Sequence, residues 1–375
     1  MPETSHLKND LGIIPLSSCT EFGAKINEHI IKTRIKNGIK VPETFIIPIN
    51  EIRFTNGEGK TVLPLSVRGR DLYILCDPSN YSCTYKMHGH ETRKSPGEHF
   101  QDLKRALAAI CGKAKHITVI MPLLYASRQD RRKGRESLDC AIALQELEAM
   151  GVNDIVTFDI HDSRVQNAVP LSPFENLYAT HEIVSAFLDD EKETVLNNKE
   201  LLLISPDPGG MDRAIYYSGI LGTDVAMFYK RRDLSKVVDG KSPIVQHDYL
   251  GQSLEGKSVM IVDDIIASGD TILTLASKMK KMGAKKVYVS VTFSCFTEGA
   301  AKFDKLYKSG ALEKLYTTNL AYIPENIKKQ PWLREVDMSQ CLARYIEYLN
   351  RGMSIEPLID QTVDLRDHIR KLREK

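Results

Sequence analysis

The sequence lacks a long apolar run, a lopsided charge and any paired-cysteine spacing, and each absence removes a class of protein. No stretch of the 375 residues approaches the roughly 18 consecutive apolar residues of a membrane-spanning helix. The opening Met1-Pro-Glu-Thr-Ser-His has neither a basic n-region nor an apolar h-region, so no signal peptide is expected. Lys plus Arg number 51 and Asp plus Glu 49, a net charge of +2, which gives no bulk electrostatic case for a nucleic-acid coat or a membrane-surface protein. The seven cysteines (19, 76, 83, 111, 140, 295 and 341) are odd in number, scattered and without CxxC spacing. That argues against a disulfide framework and points to a cytoplasmic chain. Cys111 and Cys140 lie in apolar helical patterns and read as buried thiols.

What is present is an ordinary globular composition, 42% hydrophobic and 27% charged, over a length that suits two domains. One pattern recurs four times: an amphipathic helical run ends at a glycine, and an apolar β-rich run follows. The glycines are Gly112, Gly151, Gly222 and Gly283; the runs are 116–122, 154–159, 225–230 and 286–292. Glycine after a helix supplies the left-handed turn that ends it at little cost. Further strands fit 71–76, 201–204 and 258–264, and helices fit 99–113 and 271–282. Near-continuous apolar strands alternating with helices indicate parallel sheets covered on both faces. The fold class expected is α/β, as two doubly wound parallel-sheet domains. The Pro170–Pro173 stretch marks the boundary, giving domains at 1–168 and 169–345 and a charged C-terminal segment at 346–375 with a helical pattern at Leu365, Ile369 and Leu372. Residues 77–98 read as a long polar loop.

The sharpest chemical feature is Ile261-Val-Asp-Asp-Ile-Ile-Ala-Ser-Gly-Asp-Thr271. An apolar strand runs into two carboxylates, Asp263 and Asp264, then a small-residue loop (Ala267, Ser268, Gly269, Asp270, Thr271), then a helix. Ligands in doubly wound folds bind just beyond strand C-termini, and a small loop opening a helix presents N–H groups to a phosphate. The paired carboxylates suit ribose hydroxyls. The bland reading is two solvated carboxylates at a strand end with Asp270 as helix N-cap.

This loop resembles the phosphoribosyl-binding loop of phosphoribosyltransferases and of the ribose-phosphate pyrophosphokinases, which make phosphoribosyl diphosphate (PRPP). The rest of the chain points to the second group. Ala126-Ser-Arg-Gln-Asp-Arg-Arg132 is similar to their YARQDRK stretch, Asp159-Ile-His161 to DLH, and Phe174-Glu-Asn-Leu-Tyr178 to VDNLY. Ser205-Pro-Asp-Pro-Gly-Gly210 is similar to SPDAGG, Lys230-Arg-Arg232 to KRR, Phe54-Thr-Asn-Gly-Glu58 to FSDGE, and Ser66-Val-Arg-Gly69 to SVRG. The elements run in family order from about residue 12 to about 358.

The resemblance implies domains of phosphoribosyltransferase type and ATP and ribose 5-phosphate as substrates. It implies ATP contacts from Arg128, Gln129 and Asp130, and an adenine sandwich using Phe54, Asn56 and Glu58 supplied by a neighbouring subunit. The chain would then be a homo-oligomer, at least a dimer and by resemblance a hexamer. His161 and Asp207 would help hold Mg²⁺, arriving mainly with the nucleotide. Lys230 and Arg232, before a polar stretch reaching about residue 256 that reads as a closing loop, would be the catalytic cations. Arg68, Arg135, Ser163, Asn176 and Ser354 match positions of a regulatory phosphate or ADP site. On their own, 128–135 reads as a solvated basic loop, His161 as a structural histidine, and 230–232 equally as a solvated strand end.

Several positions depart from the family pattern. Asp270 replaces a loop glycine, and its carboxylate is expected to turn outward or to cap the helix. Ala126 replaces a tyrosine and Asp162 a small residue; 77–98 and the C-terminus are longer. His88-Gly-His90-Glu91 lacks a second cluster of ligands and reads as polar loop more readily than as a metal site. The alternatives to an active synthetase are a non-catalytic relative and a PRPP-consuming transferase. A nucleic-acid-binding regulator lacks a basic stripe or helix-turn-helix to support it.

Overall fold

The computed structural model describes residues 10–132, 134–197, 199–232, 244–359 and 362–374, with the backbone alone described at 230–232, 244–247 and 362. The chain forms two compact units. The first comprises 1–178, 320–322 and 337–359; the second comprises 179–319, 323–336 and 360–375. The first unit therefore runs past the boundary expected at 168.

In chain order, the first unit holds β1 (Leu11–Pro15), a hairpin β2–β3 (Asn50–Arg53, Gly59–Val62), β4 (Asp71–Leu75), a hairpin β5–β6 (Thr84–Met87, His90–Arg93), β7 (His116–Ile120), β8 (Asp154–Phe158) and β9 (Phe174–Leu177). Five of these make a parallel sheet in the order β1-β4-β7-β8-β9. On the far side of β1, the Ile13 N–H donates to the Phe45 carbonyl and the Ile47 N–H to the Ile13 carbonyl, at 2.9 and 2.8 Å. Residues 45–47 thus extend the sheet beyond β1, and strand order reverses between β1 and β4. Pairing of β9 with β8 is what carries the first unit to Tyr178.

The second unit holds β10 (Leu201–Ser205), β11 (Asp224–Arg232), β12 (Ile244–Leu250), β13 (Ser258–Ile266), β14 (Lys286–Ser294), β15 (Lys314–Thr318) and β16 (Leu333–Val336). Their order is β12-β11-β10-β13-β14-β15-β16, all parallel except the β11–β12 pair, with a reversal between β10 and β13. Both units are therefore doubly wound. The strand at 244–250 replaces part of the loop expected to follow Lys230; residues 233–243 of that loop lie outside the described residues.

The core follows the sequence pattern. In the first unit the helix Pro96–Ile110 lays Phe100, Leu103, Leu107 and Ile110 against Ile74 and Val119. In the second, Ile272, Leu275 and Met279 of the helix Asp270–Lys281 meet Ile261 and Val289. The first helix starts three residues earlier than expected because Ser95 and Glu98 form a reciprocal capping box with Pro96 at the first position. All four glycines after helices have positive φ, from 60° to 91°. Cys111 is not a buried thiol: it is exposed, in the left-handed conformation that ends its helix, whereas Cys140 is buried. The 77–98 segment is not one loop. His88 and Gly89, with φ of 48° and 83°, form the tight turn of the β5–β6 hairpin. The charged C-terminal stretch also folds: helix Thr362–Arg373 buries Leu365 and Ile369, and Arg373 donates to the Val195 and Leu221 carbonyls, both at 2.6 Å. Among the described residues no helix is long and apolar enough to cross a membrane.

The chain returns to the first unit through helix Ser339–Asn350, which packs on helix Thr20–Lys36. Arg34, fully buried, donates to Glu347 at 2.6 Å and to Asn350 at 2.8 Å, with its guanidinium over the Phe45 ring. Removing one partner of such a pair strands the other charge in the interior. Glu347→Ala should therefore cost about 3–5 kcal/mol in urea unfolding, and Arg34→Met with Glu347→Leu clearly less.

Candidate active site

Parallel strands deliver their exit loops to one edge, and the reversal between β10 and β13 opens a crevice there. Three sequence-marked segments meet at that edge of the second unit because β11, β10 and β13 are neighbours. Lys230 and Arg232 lie at the C-terminal end of β11, as backbone positions; the placement of their side chains is outside the described residues. β10 runs into Ser205-Pro206-Asp207. The Asp207 carboxylate accepts the Gly209 N–H at 2.9 Å, and the Ser205 hydroxyl donates to the Asp207 carbonyl at 2.6 Å. These bonds fix the turn that brings a carboxylate to the mouth of the crevice.

β13 contributes Asp263 and Asp264. Asp264 is buried, and its N–H donates to the Asp263 carboxylate at 3.0 Å. Burial, reinforced by the charge of Asp264, pushes the Asp263 carboxyl up to about 8. Asp263 is thereby held toward its protonated form, in which a carboxyl donates as well as accepts. Arg213, on the helix Met211–Leu221, stands 3.9 Å from Asp264 and partly offsets that charge. Arg213 belongs to none of the motifs above; its one signal in the sequence is a cation one helical turn past the Gly209-Gly210 turn.

The loop 267–271 has the expected shape. Gly269 has φ of 87°, and a Cβ there would lie 2.5 Å from the Phe303 ring, so only glycine fits. Helix Asp270–Lys281 begins at once, with Gly269 as its N-cap. Asp270 is thus the first helical residue and not the cap. Its carboxylate turns aside to Lys302 at 2.7 Å and accepts from Ser268 Oγ at 3.0 Å. Lys302, which also binds Glu298, holds the Asp270 carboxyl below the usual carboxylate range. The extra acid at a phosphate-type loop is thereby neutralised by a residue 32 positions away.

In the first unit, β7 and β8 are neighbours, and their exit loops hold the other marked residues. Arg128 and Gln129 are exposed. Ala126, with φ of 55°, bends the chain so that its carbonyl accepts the Gln129 N–H at 2.8 Å. Asp159 is buried with φ of 38°, a left-handed kink that ends β8 and brings His161 to the surface. Asp162 caps the short helix Ser163–Ala168 and grips Arg164, which holds its carboxyl well below the ordinary range; Asp130 shares a hydrogen bond with it. Asp130 and the His161 segment are thus adjacent. Phe54, Asn56 and Glu58 form the tip of the β2–β3 hairpin, with Phe54 half-exposed and the Asn56 amide donating to Glu58 at 3.0 Å.

The five residues matched to a regulatory site are dispersed within one chain. Asn176 accepts the Ile160 N–H at 3.1 Å and, with Ser163, belongs to the C-terminal edge of the sheet. Arg68 precedes β4 at the opposite edge. Ser354 follows the helix whose Asn350 binds Asp71 at that same opposite edge. Arg135 is exposed beyond the basic loop. His161 and Asp207 belong to different units. Among the described residues no group of three or more His, Cys, Asp or Glu side chains is placed to hold a metal ion, His88-Gly-His90-Glu91 included.

Comparison with known proteins accounts for this layout. A family model described as the N-terminal domain of ribose phosphate pyrophosphokinase matches residues 11–151, and one for the phosphoribosyl transferase domain matches 174–316. The chain belongs to the ribose-phosphate pyrophosphokinase family, a family of transferases. A ribose-phosphate pyrophosphokinase of Burkholderia pseudomallei is 29% identical over 315 residues, covering 83% of this chain and 89% of its own. One from Ureaplasma parvum is 27% identical over 331 residues, covering 87% and 90%. The crystal structure of the phosphoribosylpyrophosphate synthetase from Mycobacterium smegmatis shares the fold, with a TM-score of 0.72 at 20% identity over 92% of this chain and 99% of that one.

Two outcomes test this geometry. Folded Asp263 binds its proton more tightly than the unfolded chain does, so its contribution to stability falls as pH rises from 3.8 to about 8. Asp263→Asn should gain stability over the parent through that window and level off above it, as read by melting temperature against pH. Lys302→Ala should weaken inorganic phosphate binding about 3- to 10-fold, and Asp270→Gly in the same background should restore it; titration calorimetry reads both.

Proposed function

We propose that the protein transfers the β,γ-diphosphoryl group of ATP to the C1 hydroxyl of ribose 5-phosphate, giving PRPP and AMP. The observation that carries this reading is the convergence of β11, the Asp207 turn, the Asp263–Asp264 pair and the 267–271 loop on one crevice. The 5-phosphate takes the helix N-terminus at 267–271, and the acid pair Asp263–Asp264 grips the adjacent ribose hydroxyls. The C1 oxygen attacks the β-phosphorus in line. The bond from that phosphorus to the bridging oxygen breaks, AMP leaves with the oxygen, and the hydroxyl proton is lost to solvent.

Lys230 and Arg232 spread their positive charge over the phosphoryl oxygens as the bond shifts. Arg128, Gln129 and Asp130 hold ATP, with Phe54, Asn56 and Glu58 as the base platform from a neighbouring copy. The chain then works as a homo-oligomer, at least a dimer and by resemblance a hexamer, in the cytoplasm. Mg²⁺ suits the oxygen of Asp207 better than the nitrogen of His161, so Asp207 would hold the metal and His161 the phosphate side of the nucleotide. When bound, the ion neutralises charge on the polyphosphate.

A non-catalytic relative is the second reading, and Asp270 in the loop is the observation that favours it. Its pairing with Lys302 removes most of that objection. Incubation with ATP, Mg²⁺ and ribose 5-phosphate should give equal amounts of AMP and PRPP; binding of both substrates without AMP would establish the second reading. Lys230→Ala should lower kcat by at least about 100-fold with little change in substrate KM. An equal loss in both would remove Lys230 from the transition state.

A further inference from the structure

The catalytic reading leaves the β5–β6 hairpin without a task. We infer that it is a strut that fixes the 54–58 turn, and so positions that turn for nucleotide binding. The positioning role rests on the reading of 54–58 as a nucleotide platform; the strut itself does not.

The β2–β3 hairpin is two strands of four residues each, and an isolated hairpin of that size is marginal in water. It is fastened to the β5–β6 hairpin at both ends. At the root, Lys94 donates to Glu51 at 2.7 Å and to Asp102 at 2.9 Å. Arg53 makes a two-pronged bond to Asp102, 2.6 Å on each prong, and its guanidinium lies 5.3 Å from the Tyr85 ring centre. Tyr85 in turn donates to Glu98. At the tip, the His88 N–H donates to the Thr55 carbonyl at 2.8 Å. A Cβ at Gly57 would stand 2.7 Å from Met87 Sδ, so Met87 rests directly on the turn.

Between root and tip Tyr85 bridges the two hairpins: its ring faces Arg53, and its hydroxyl lies 3.9 Å from where a Cβ on Gly57 would stand. Beside these contacts a cavity of about 420 Å³ opens, lined by Glu51, Arg53 and Thr55 on one side and by Thr84, Tyr85, Lys86 and Lys94 on the other. A few polar and ring contacts along an open cavity are the geometry of a strut, not of a packed layer. The left-handed His88-Gly89 turn aims the His88 N–H at Thr55. Five turn residues held this way lose their freedom on folding and not on meeting a ligand, which favours binding.

The test uses the full chain in three forms: Met87→Ala, Met87→Leu, and a shortened hairpin with Tyr85–Thr92 replaced by Asn-Gly. Amide hydrogen exchange at 54–58 should rise in the alanine and shortened forms and stay near the parent in the leucine form. The KM for ATP should rise about tenfold in the same two, with the KM for ribose 5-phosphate and the melting temperature nearly unchanged. Unchanged exchange at 54–58 overturns the strut. Raised exchange with an unchanged KM for ATP upholds the strut and overturns its positioning role, because 54–58 is then no part of the nucleotide site. Equal rises in both KM values overturn that role as well, showing a general structural effect.

Discussion

The reversal of strand order is the constraint from which the rest follows. Parallel strands must be joined by crossovers, and where successive crossovers pass to opposite faces the two exit loops part and leave a crevice. Each unit has one such reversal, and the two crevices have opposite fates. In the second unit it receives Asp207, Asp263 and Asp264 and the 267–271 loop. In the first it is filled by the chain itself. Asp77, buried after β4, accepts from Ser79 and from the Tyr322 N–H, and Asn80 donates to the Ser18 carbonyl. Burial pushes the Asp77 carboxyl up to about 6, which these donors partly offset. One architecture used twice yields one crevice lined by acids and a small-residue loop and one that the chain itself fills.

The acid pair at the open crevice is held there at the expense of stability. Burial and the charge of Asp264 raise the proton affinity of Asp263, and Arg213, 3.9 Å from Asp264, offsets part of that. Such an arrangement is stable enough to persist because the surrounding sheet over-determines it: β13 is paired on both sides, with β10 and β14. Strain of this kind collects where a ligand will relieve it. Lys302 shows the complementary device. An acid out of place in the loop is answered locally, so that the loop keeps its backbone shape.

Much of the fold was legible because its signals are local. Glycine after a helix, β-rich runs of five or so residues and a periodic apolar face mark the helices and buried strands in both units. What escaped has non-local causes. β2, β3, β5, β6 and β12 are short or polar, exist through pairing, and carry no alternation that a single strand would show. Cys111 reads as apolar helix, yet its place is decided by where the preceding helix stops. Within the candidate site, residues that sit on strand ends were legible. Arg213 and Lys302 were not, because each matters only through a partner 51 or 32 residues distant. The boundary at 168 fell short for a similar reason: β9 belongs to the sheet it pairs with.

The chain visits the first unit three times, at 1–178, 320–322 and 337–359, and the second unit is interleaved with it. A ribosome makes these segments in order, so the first unit cannot close around helix Ser339–Asn350 until nearly the whole polypeptide has emerged. Until then Arg34 waits without Glu347, and the face of helix Thr20–Lys36 that it occupies stays uncovered. Each unit is therefore finished only as the C-terminus emerges, the first at 337–359 and the second at 360–375, and a nascent chain halted before residue 339 would present that open face to chaperones or to other chains.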